Sequence, residues 1–303
     1  MNLEPHDLRD TTVGELMTRR VMTLRDTDTI AHAHQILLWS GFRHLPVLSA
    51  GRLVGIVSDR DLLRFAADPA ALTAATSVTE VMTELVETVT PQTTITEASA
   101  RMAAGRIDAL PVVDGQGALV GIITSTDVLA ERGSLVHKGG ELAVPTVAAV
   151  MRTAIATLSP DTSLVEAVSV FARAPFRHLP VVDHERRLVG IVSDRDVRTR
   201  IGDPVRVLLD EEAVGVEVGD TVESVMTEHP IALRTDASLL ELADTLLDER
   251  VGAIPIVDDE ERLAGIASYI DVLGYLVGRP GAFAVTGTRI EEAGAPSSRD
   301  VPV

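Results

Sequence analysis

Short β-branched runs and helical apolar stripes alternate along this chain in one order, four times over. Val21-Met22-Thr23-Leu24 is apolar and β-branched and predicts a brief strand. Apolar residues then recur at helical spacing: Leu164, Ala167, Val168 and Phe171 in one copy, Leu239, Leu242, Ala243 and Leu246 in another. That spacing gathers them on one face of a helix of about three turns. Thr29, Thr94, Ser163 and Ser238 open these helices. Glu97, Glu166 and Glu241 stand three residues on, the pattern of a capping box; the first copy has His32 there. Two strands follow. The first holds Leu45-Pro46-Val47 or its equivalent. Proline cannot donate to a ladder, so this strand is predicted at a sheet edge or starting at the proline. The second, Leu53-Val54-Gly55-Ile56-Val57, is a nearly continuous apolar run, as in strands buried on both faces. It leads directly into Ser58-x-x-Asp61 and a second helix. Each unit therefore reads β-α-β-β-α.

The repeat is fixed in length up to its proline. Met17, Met82, Met151 and Met226 open the units at intervals of 65, 69 and 75 residues, and Pro46, Pro111, Pro180 and Pro255 follow at the same intervals. Linkers absorb the variation. An internal repeat decides the architecture before any other signal. The copies have two flavours. Copies one and three carry Arg43-His44 and Arg177-His178 before Leu-Pro, and Arg60 and Arg195 before the closing Asp. Copies two and four have Asp108-Ala109 and Gly252-Ala253, with no such arginine. A unit of about 55 residues has a marginal core, so the expected fold is mixed α/β (α+β), with four repeats packed as two pseudo-twofold pairs. Their expected bounds are 12–66, 77–131, 146–200 and 221–276. Glu131–Pro145 is expected to connect the pairs, Asp203–Asp220 to carry a short extra helix, and 280–303 to be disordered.

Composition narrows the function. The 303 residues include no Cys, which excludes disulfides, thiolate nucleophiles and zinc ribbons and fits a cytoplasmic location. The polar, acidic start predicts no leader, and no apolar run approaches the ~20 residues of a membrane span. A net charge of −18 argues against nucleic acid as a partner. Any anionic ligand must then be held by locally placed cations and backbone amides.

The strand-to-helix junction is the candidate place. Ser58/Asp61, Thr124/Asp127, Ser193/Asp196 and Ser268/Asp271 precede helices whose free amides suit a phosphate. Gly55, Gly121, Gly190 and Gly265 just upstream leave room for a ligand. The same Ser-x-x-Asp spacing also makes a plain N-cap. Arg60 and Arg195 tip the balance, because a first-turn cation opposes the helix dipole unless an anion is bound. Arg43-His44 and Arg177-His178 are either further anion donors or solvated surface pairs. His32 and His34 face different sides of a helix, and Gly115-x-Gly117-x-x-x-Gly121 has the wrong spacing for a dinucleotide loop. No metal set, nucleophile or general base converges, so no enzyme is expected.

Val/Leu-Met-Thr, Arg-His-Leu-Pro-Val-Val-Asp and Leu-Val-Gly-Ile-Val-Ser-Asp-Arg-Asp together resemble the CBS-domain family over most of the chain. The resemblance implies two Bateman modules, stacked as a disc within one chain or between two. It implies adenosine-type ligands in clefts between paired repeats: AMP, ADP, ATP or relatives such as S-adenosylmethionine. No cofactor is required. On this resemblance Asp61, Asp127, Asp196 and Asp271 hold ribose, and Ser58, Thr124, Ser193 and Ser268 face phosphate or ribose. Arg43, His44, Arg177 and His178 contact phosphates, and adenine lies near Thr23, Thr88 and Thr157. Ala232 replaces the strand threonine in repeat four, and Arg152 replaces the threonine after Met151. The clefts on Asp61 and Asp196 are therefore expected to be the better phosphate sites, and those on Asp127 and Asp271 to be empty or to take a less charged ligand. The expected function is a stand-alone regulatory sensor that signals to a protein partner. The alternatives are an assembly scaffold with vestigial sites and, less favoured, a nucleotide-processing enzyme.

Overall fold

A computed structural model describes residues 11–66, 76–136, 145–173, 176–201 and 220–278. A one-turn helix, α1 (Val13–Leu16), precedes the first long helix, α2 (Ile30–Ser40). The other long helices are α4 (Ile95–Gly105), α6 (Leu164–Arg173) and α8 (Leu239–Asp248). Each long helix starts directly after its polar residue. The hydroxyls of Thr29, Thr94, Ser163 and Ser238 accept the amides of His32, Glu97, Glu166 and Glu241 at 3.1–3.3 Å. The carboxylate half of the predicted capping box departs in α4, where Glu97 turns outward to Arg101 at 2.6 Å. The predicted stripes face inward: Leu164, Ala167, Phe171, Leu242 and Leu246 are at most 1% exposed.

The second helices are α3 (Asp59–Ala66), α5 (Ser125–Val136), α7 (Asp194–Ile201) and α9 (Tyr269–Leu276). Helix α5 continues to Val136, so most of the first half of the predicted connector is helical. The extra helix predicted within Asp203–Asp220 and the tail predicted at 280–303 lie outside the described residues, apart from Asp220.

Repeat one forms a sheet of β1 (Leu24–Arg25), β2 (His44–Ser49) and β3 (Arg52–Ser58) in that order, β1 parallel to β2 and β2 antiparallel to β3. The first strand is shorter than Val21–Leu24 predicts, and in repeats two and three it shrinks to single bridges, Val89 to Val112 and Leu158 to Val181. The proline strand is a middle strand, not an edge. Its other copies are β4 (Ala109–Val113), β6 (His178–Val182) and β10 (Ala253–Val257), and none starts at its proline. The ladder accommodates the proline because the first strand is so short. Pro111 O accepts from Val89 N and Val113 N donates to Val89 O, and the next rung, which would need a proline N–H, is the end of the ladder.

The third strands are β3, β5 (Leu119–Thr124), β7 (Leu188–Ser193) and β11 (Leu263–Ser268). On their free edge they receive the residue after the opening methionine of the paired repeat. Thr18 exchanges two backbone hydrogen bonds with Ile122, Thr83 with Ile56, and Arg152 with Ile266, at 2.9–3.1 Å. In repeat three the exchange lengthens into β8 (Thr227–Glu228), while β9 (Leu233–Arg234) pairs with β10. The upstream glycines serve this exchange. A Cβ on Gly121 would lie 2.5 Å from Met17 Sδ and 3.1 Å from Thr18 O, and Gly55, Gly190 and Gly265 meet Met82, Met226 and Met151 in the same way. The space read from the sequence as ligand room is filled by the neighbour's methionine. Gly121→Val is expected to lower stability by about 1–3 kcal/mol through overpacking. A denaturant midpoint at the wild-type value would show that the exchanged segment yields freely.

The exchange is reciprocal, which gives each pair its pseudo-twofold relation. The valine of each opening turn, Val13, Val78, Val147 or Val222, is 0% exposed and closes the core of the partner repeat. Three of the third strands are not buried on both faces as predicted, since Ile56, Ile122 and Ile191 are half-buried; in repeat four the equivalent Ile266 is buried. The two pairs then meet unequally. Repeats two and four share apolar cores, with Ile270 and Leu273 of α9 packed among Ile95, Met102 and Leu110, and Leu129 of α5 among Leu242 and Leu246. Repeats one and three keep separate clusters among the described residues and meet through α3 and α6 and through polar contacts.

Candidate functional site

All four strand-to-helix junctions close as complete capping boxes. The amides of Ser58, Thr124, Ser193 and Ser268 donate to Oδ2 of Asp61, Asp127, Asp196 and Asp271 at 2.8–2.9 Å. The hydroxyls donate to the same oxygen at 2.6–2.7 Å. The plain cap is thus real in every copy, but it occupies one carboxylate oxygen. The other, Oδ1, takes no side-chain donor in Asp61, Asp127 or Asp196 among the described residues. In repeat four it accepts Arg152 Nε at 2.9 Å, while Arg152 Nη2 reaches Oδ2 at 3.2 Å.

A cavity of about 530 Å³ lies where the four repeats meet. Of the residues singled out in the sequence, it gathers Arg43, His44, Ser58, Arg60, Asp61, Arg177, His178, Ser268 and Asp271. Thr23, Thr88, Thr124, Asp127, Thr157, Ser193, Arg195 and Asp196 lie outside its lining. Arg195 instead donates to the carbonyl of Gly41 at 2.9 Å. Gly41 ends α2 in the left-handed conformation, φ 71°, so this arginine sits at the negative end of a helix dipole and ties repeat three to repeat one. No bound anion is needed to explain it. The part of the wall that repeat two supplies includes Val86 and Glu87, just upstream of Thr88.

The two repeat flavours fit together at the centre. Arg43-His44 and Arg177-His178 are partly buried and face inward, not solvated surface pairs. Arg177 Nη2 donates to His44 Nε2 at 3.4 Å, which requires the neutral ring, and Arg177 Nε lies 3.7 Å from Asp108 Oδ2. Gly252 is the seat of the opposite histidine: a Cβ there would be 2.6 Å from His178 Cε1 and 3.5 Å from Arg43 Nη2. The residues standing where repeats two and four lack a basic pair therefore accommodate the basic pairs of one and three. Asp108 and Gly252 were not picked out as functional. The signal for them in the sequence is the alternation of flavours at one position, where neither residue is itself a donor to an anion.

Charge at the centre opposes the charge of the chain. Five arginines (Arg43, Arg60, Arg106, Arg152, Arg177) face four carboxylates (Asp61, Glu87, Asp108, Asp271) across the cavity. Asp271 and Asp108 are already engaged by Arg152 and Arg177. The Arg43 guanidinium forms no ion pair or side-chain hydrogen bond among the described residues. Burial, then Arg177 and Arg43, pushes His44 down to about 3. Burial and Arg43 push His178 down to about 4, with Asp194 and Asp196 pulling the other way. Both imidazoles are neutral near pH 7 and can either accept or donate. Tyr269, 8% exposed at the cavity wall, donates to the Leu246 carbonyl at 2.7 Å, and burial raises its pKa. Among the described residues no His, Cys, Asp and Glu cluster could hold a metal ion, and no helix is long and apolar enough to cross a membrane.

Comparison with known proteins agrees with this architecture. Protein MJ1225 of Methanocaldococcus jannaschii is 28% identical over 273 residues, 85% of this chain and 95% of that protein. Its crystal structure, described as that of a candidate archaeal homologue of γ-AMPK, aligns with a TM-score of 0.75 at 24% identity, over 88% of this chain and 100% of that one. A conserved protein from Pyrococcus horikoshii aligns over the same share of this chain and 100% of its own, with a TM-score of 0.61 at 23% identity. These likenesses carry the fold. MJ1404 of M. jannaschii is 26% identical over 87% of this chain, which spans 61% of that protein's length. The CBS domain model matches residues 13–68, 78–133, 147–203 and 222–278, and the chain belongs to the CBS-domain family.

Proposed function

We propose that this protein is a regulatory sensor of an adenosine-type nucleotide, with the ribose on Asp61 and the phosphates in the central cavity. The observation that carries the reading is the placement of Arg43, Arg60, Arg177 and two neutral histidines around one 530 Å³ space in a chain of net charge −18. A surplus of arginine there is costly for a core and useful for a polyanion. AMP, ADP and ATP share the ribose and differ in how many phosphates reach the centre. The ligand would draw repeats one and three together across their polar contact, while the apolar contact of two and four holds. The size of any signal to a partner equals the ligand's preference for one packing over the other.

Isothermal titration with AMP, ADP, ATP and unphosphorylated adenosine tests this. Binding is expected for at least one nucleotide, weakened about 10- to 100-fold by Asp61→Ala, the worth of one charged hydrogen-bonding partner. The scaffold reading is favoured by the complete cap that Asp61 already makes with Ser58. Under it Asp61→Ala costs about 1 kcal/mol of stability and changes no binding.

A further inference from the structure

The four repeats carry the same capping box, yet one of them is occupied by the chain itself. Threonine follows the opening methionine in three repeats, as Thr18, Thr83 and Thr227, and arginine does so in the other, as Arg152. The exchange of segments within a pair brings Arg152 to the third strand of repeat four, where its backbone bonds to Ile266 at 2.9 and 3.0 Å. From there the side chain folds onto the junction of the same repeat. Its Nε donates to Asp271 Oδ1 at 2.9 Å, and its Nη2 lies 3.2 Å from Asp271 Oδ2 and 3.4 Å from Ser268 Oγ. Asp271 is 2% exposed, whereas Asp61, Asp127 and Asp196 are half-buried. The arginine lies directly on its carboxylate.

We propose that Arg152 is an internal ligand that closes the repeat-four cleft to nucleotides. A vicinal diol would bind Asp271 through two O–H donors to the carboxylate, and the guanidinium fork supplies two N–H donors to the same atoms. Ser268 Oγ, the other polar group at the junction, is engaged as well. Asp61 and Asp271 are the two junction aspartates that line the central cavity, and Arg152 makes them unequal, with one open to a ribose and one filled. The central space then serves one nucleotide entering from the Asp61 side, with the Arg152 charge fixed at the far wall. This inference rests on the adenosine reading only for the identity of the excluded ligand.

Titration calorimetry with AMP, ADP and ATP on three proteins decides it. Arg152→Thr restores the residue type of the other repeats and is expected to bind one more nucleotide per chain than wild type. Adding Asp271→Ala to that variant is expected to return the count to the wild-type value. Asp271→Asn alone, which keeps the arginine, is expected to leave the wild-type count unchanged and serves where Arg152→Thr folds poorly. An unchanged count in folded Arg152→Thr, or a site lost in Asp271→Asn, overturns the proposal. The two readings fail separately. Equal non-zero counts in wild type and Arg152→Thr sink the internal ligand alone. Binding by Arg152→Thr but not by wild type sinks the Asp61 site alone. No binding by either sinks both.

Discussion

Replacing Arg43 and Arg177 together by alanine is expected to weaken nucleotide binding at least 100-fold and to leave binding of unphosphorylated adenosine nearly unchanged. Each arginine comes from a different pair, and the two converge on one cavity near His44 and His178. A hydrogen bond to a charged group is worth about 1.5–3 kcal/mol, so losing two costs about 3–6 kcal/mol. The chain's net charge of −18 adds to the loss, because only Arg60, Arg106 and the Asp271-bound Arg152 then remain at the cavity, against four carboxylates, to offset long-range repulsion of a phosphate. The effect should therefore grow as salt is lowered, since screening falls off below about 0.1 M. The variant also frees Asp108 from Arg177, which leaves a carboxylate facing the ligand. Titration of ATP and adenosine at two salt concentrations checks both statements. Equal losses for ATP and adenosine would mean that the arginines shape the cavity without touching phosphate.

Much of the fold was legible because it is written in local chemistry. A hydroxyl before an apolar stripe specifies a helix start wherever it occurs, and Thr94 and Ser238 cap as their sequence predicts. Apart from Pro46, whose neighbouring strands belong to its own repeat, the departures lie where a residue's partner is in another repeat. Pro46 reads as an edge residue because proline forfeits a donor, and only the two-residue length of β1 makes a middle position tolerable. Gly55 reads as ligand room because nothing local shows that Met82 will fill it. Arg195 reads as a phosphate cation because its acceptor, the Gly41 carbonyl, is 154 residues away. Arg152 was visible as a departure from the repeat, but its meaning needed the exchange that carries it to Asp271. Repetition copies motifs, and packing alone decides which copies face the same space. That is why nine of the seventeen candidate residues line the cavity and the rest do not.

The protein should lose stability steeply on mild acidification, and a bound polyphosphate should slow that loss. An unfolded histidine titrates near pH 6.5. Folded, His44 and His178 are held down to about 3 and about 4 by burial and by Arg43 and Arg177. Between those values the unfolded chain binds two protons that the folded chain refuses. Their contribution to stability is complete above about pH 6.5 and is lost as the pH falls toward about 4 for His178 and about 3 for His44. At pH 5 the loss is on the order of 2 kcal/mol for each histidine, a large part of the roughly 5–15 kcal/mol that holds a typical domain folded. Urea midpoints at pH 7.5 and pH 5 should differ accordingly, and His44→Gln/His178→Gln should remove most of the difference; an equal slope in that variant would assign the acid sensitivity to carboxylates instead. Phosphates among Arg43, Arg177 and these rings would offset the cationic repulsion and raise both histidine pKa values. Binding near pH 6 should then take up protons and tighten as the pH falls. Calorimetry in two buffers of different ionisation enthalpy, on the wild type and on His44→Gln/His178→Gln, separates that uptake from the proton released by the nucleotide's own terminal phosphate, and equal net proton counts in the two proteins would mean that the phosphates do not reach the histidines.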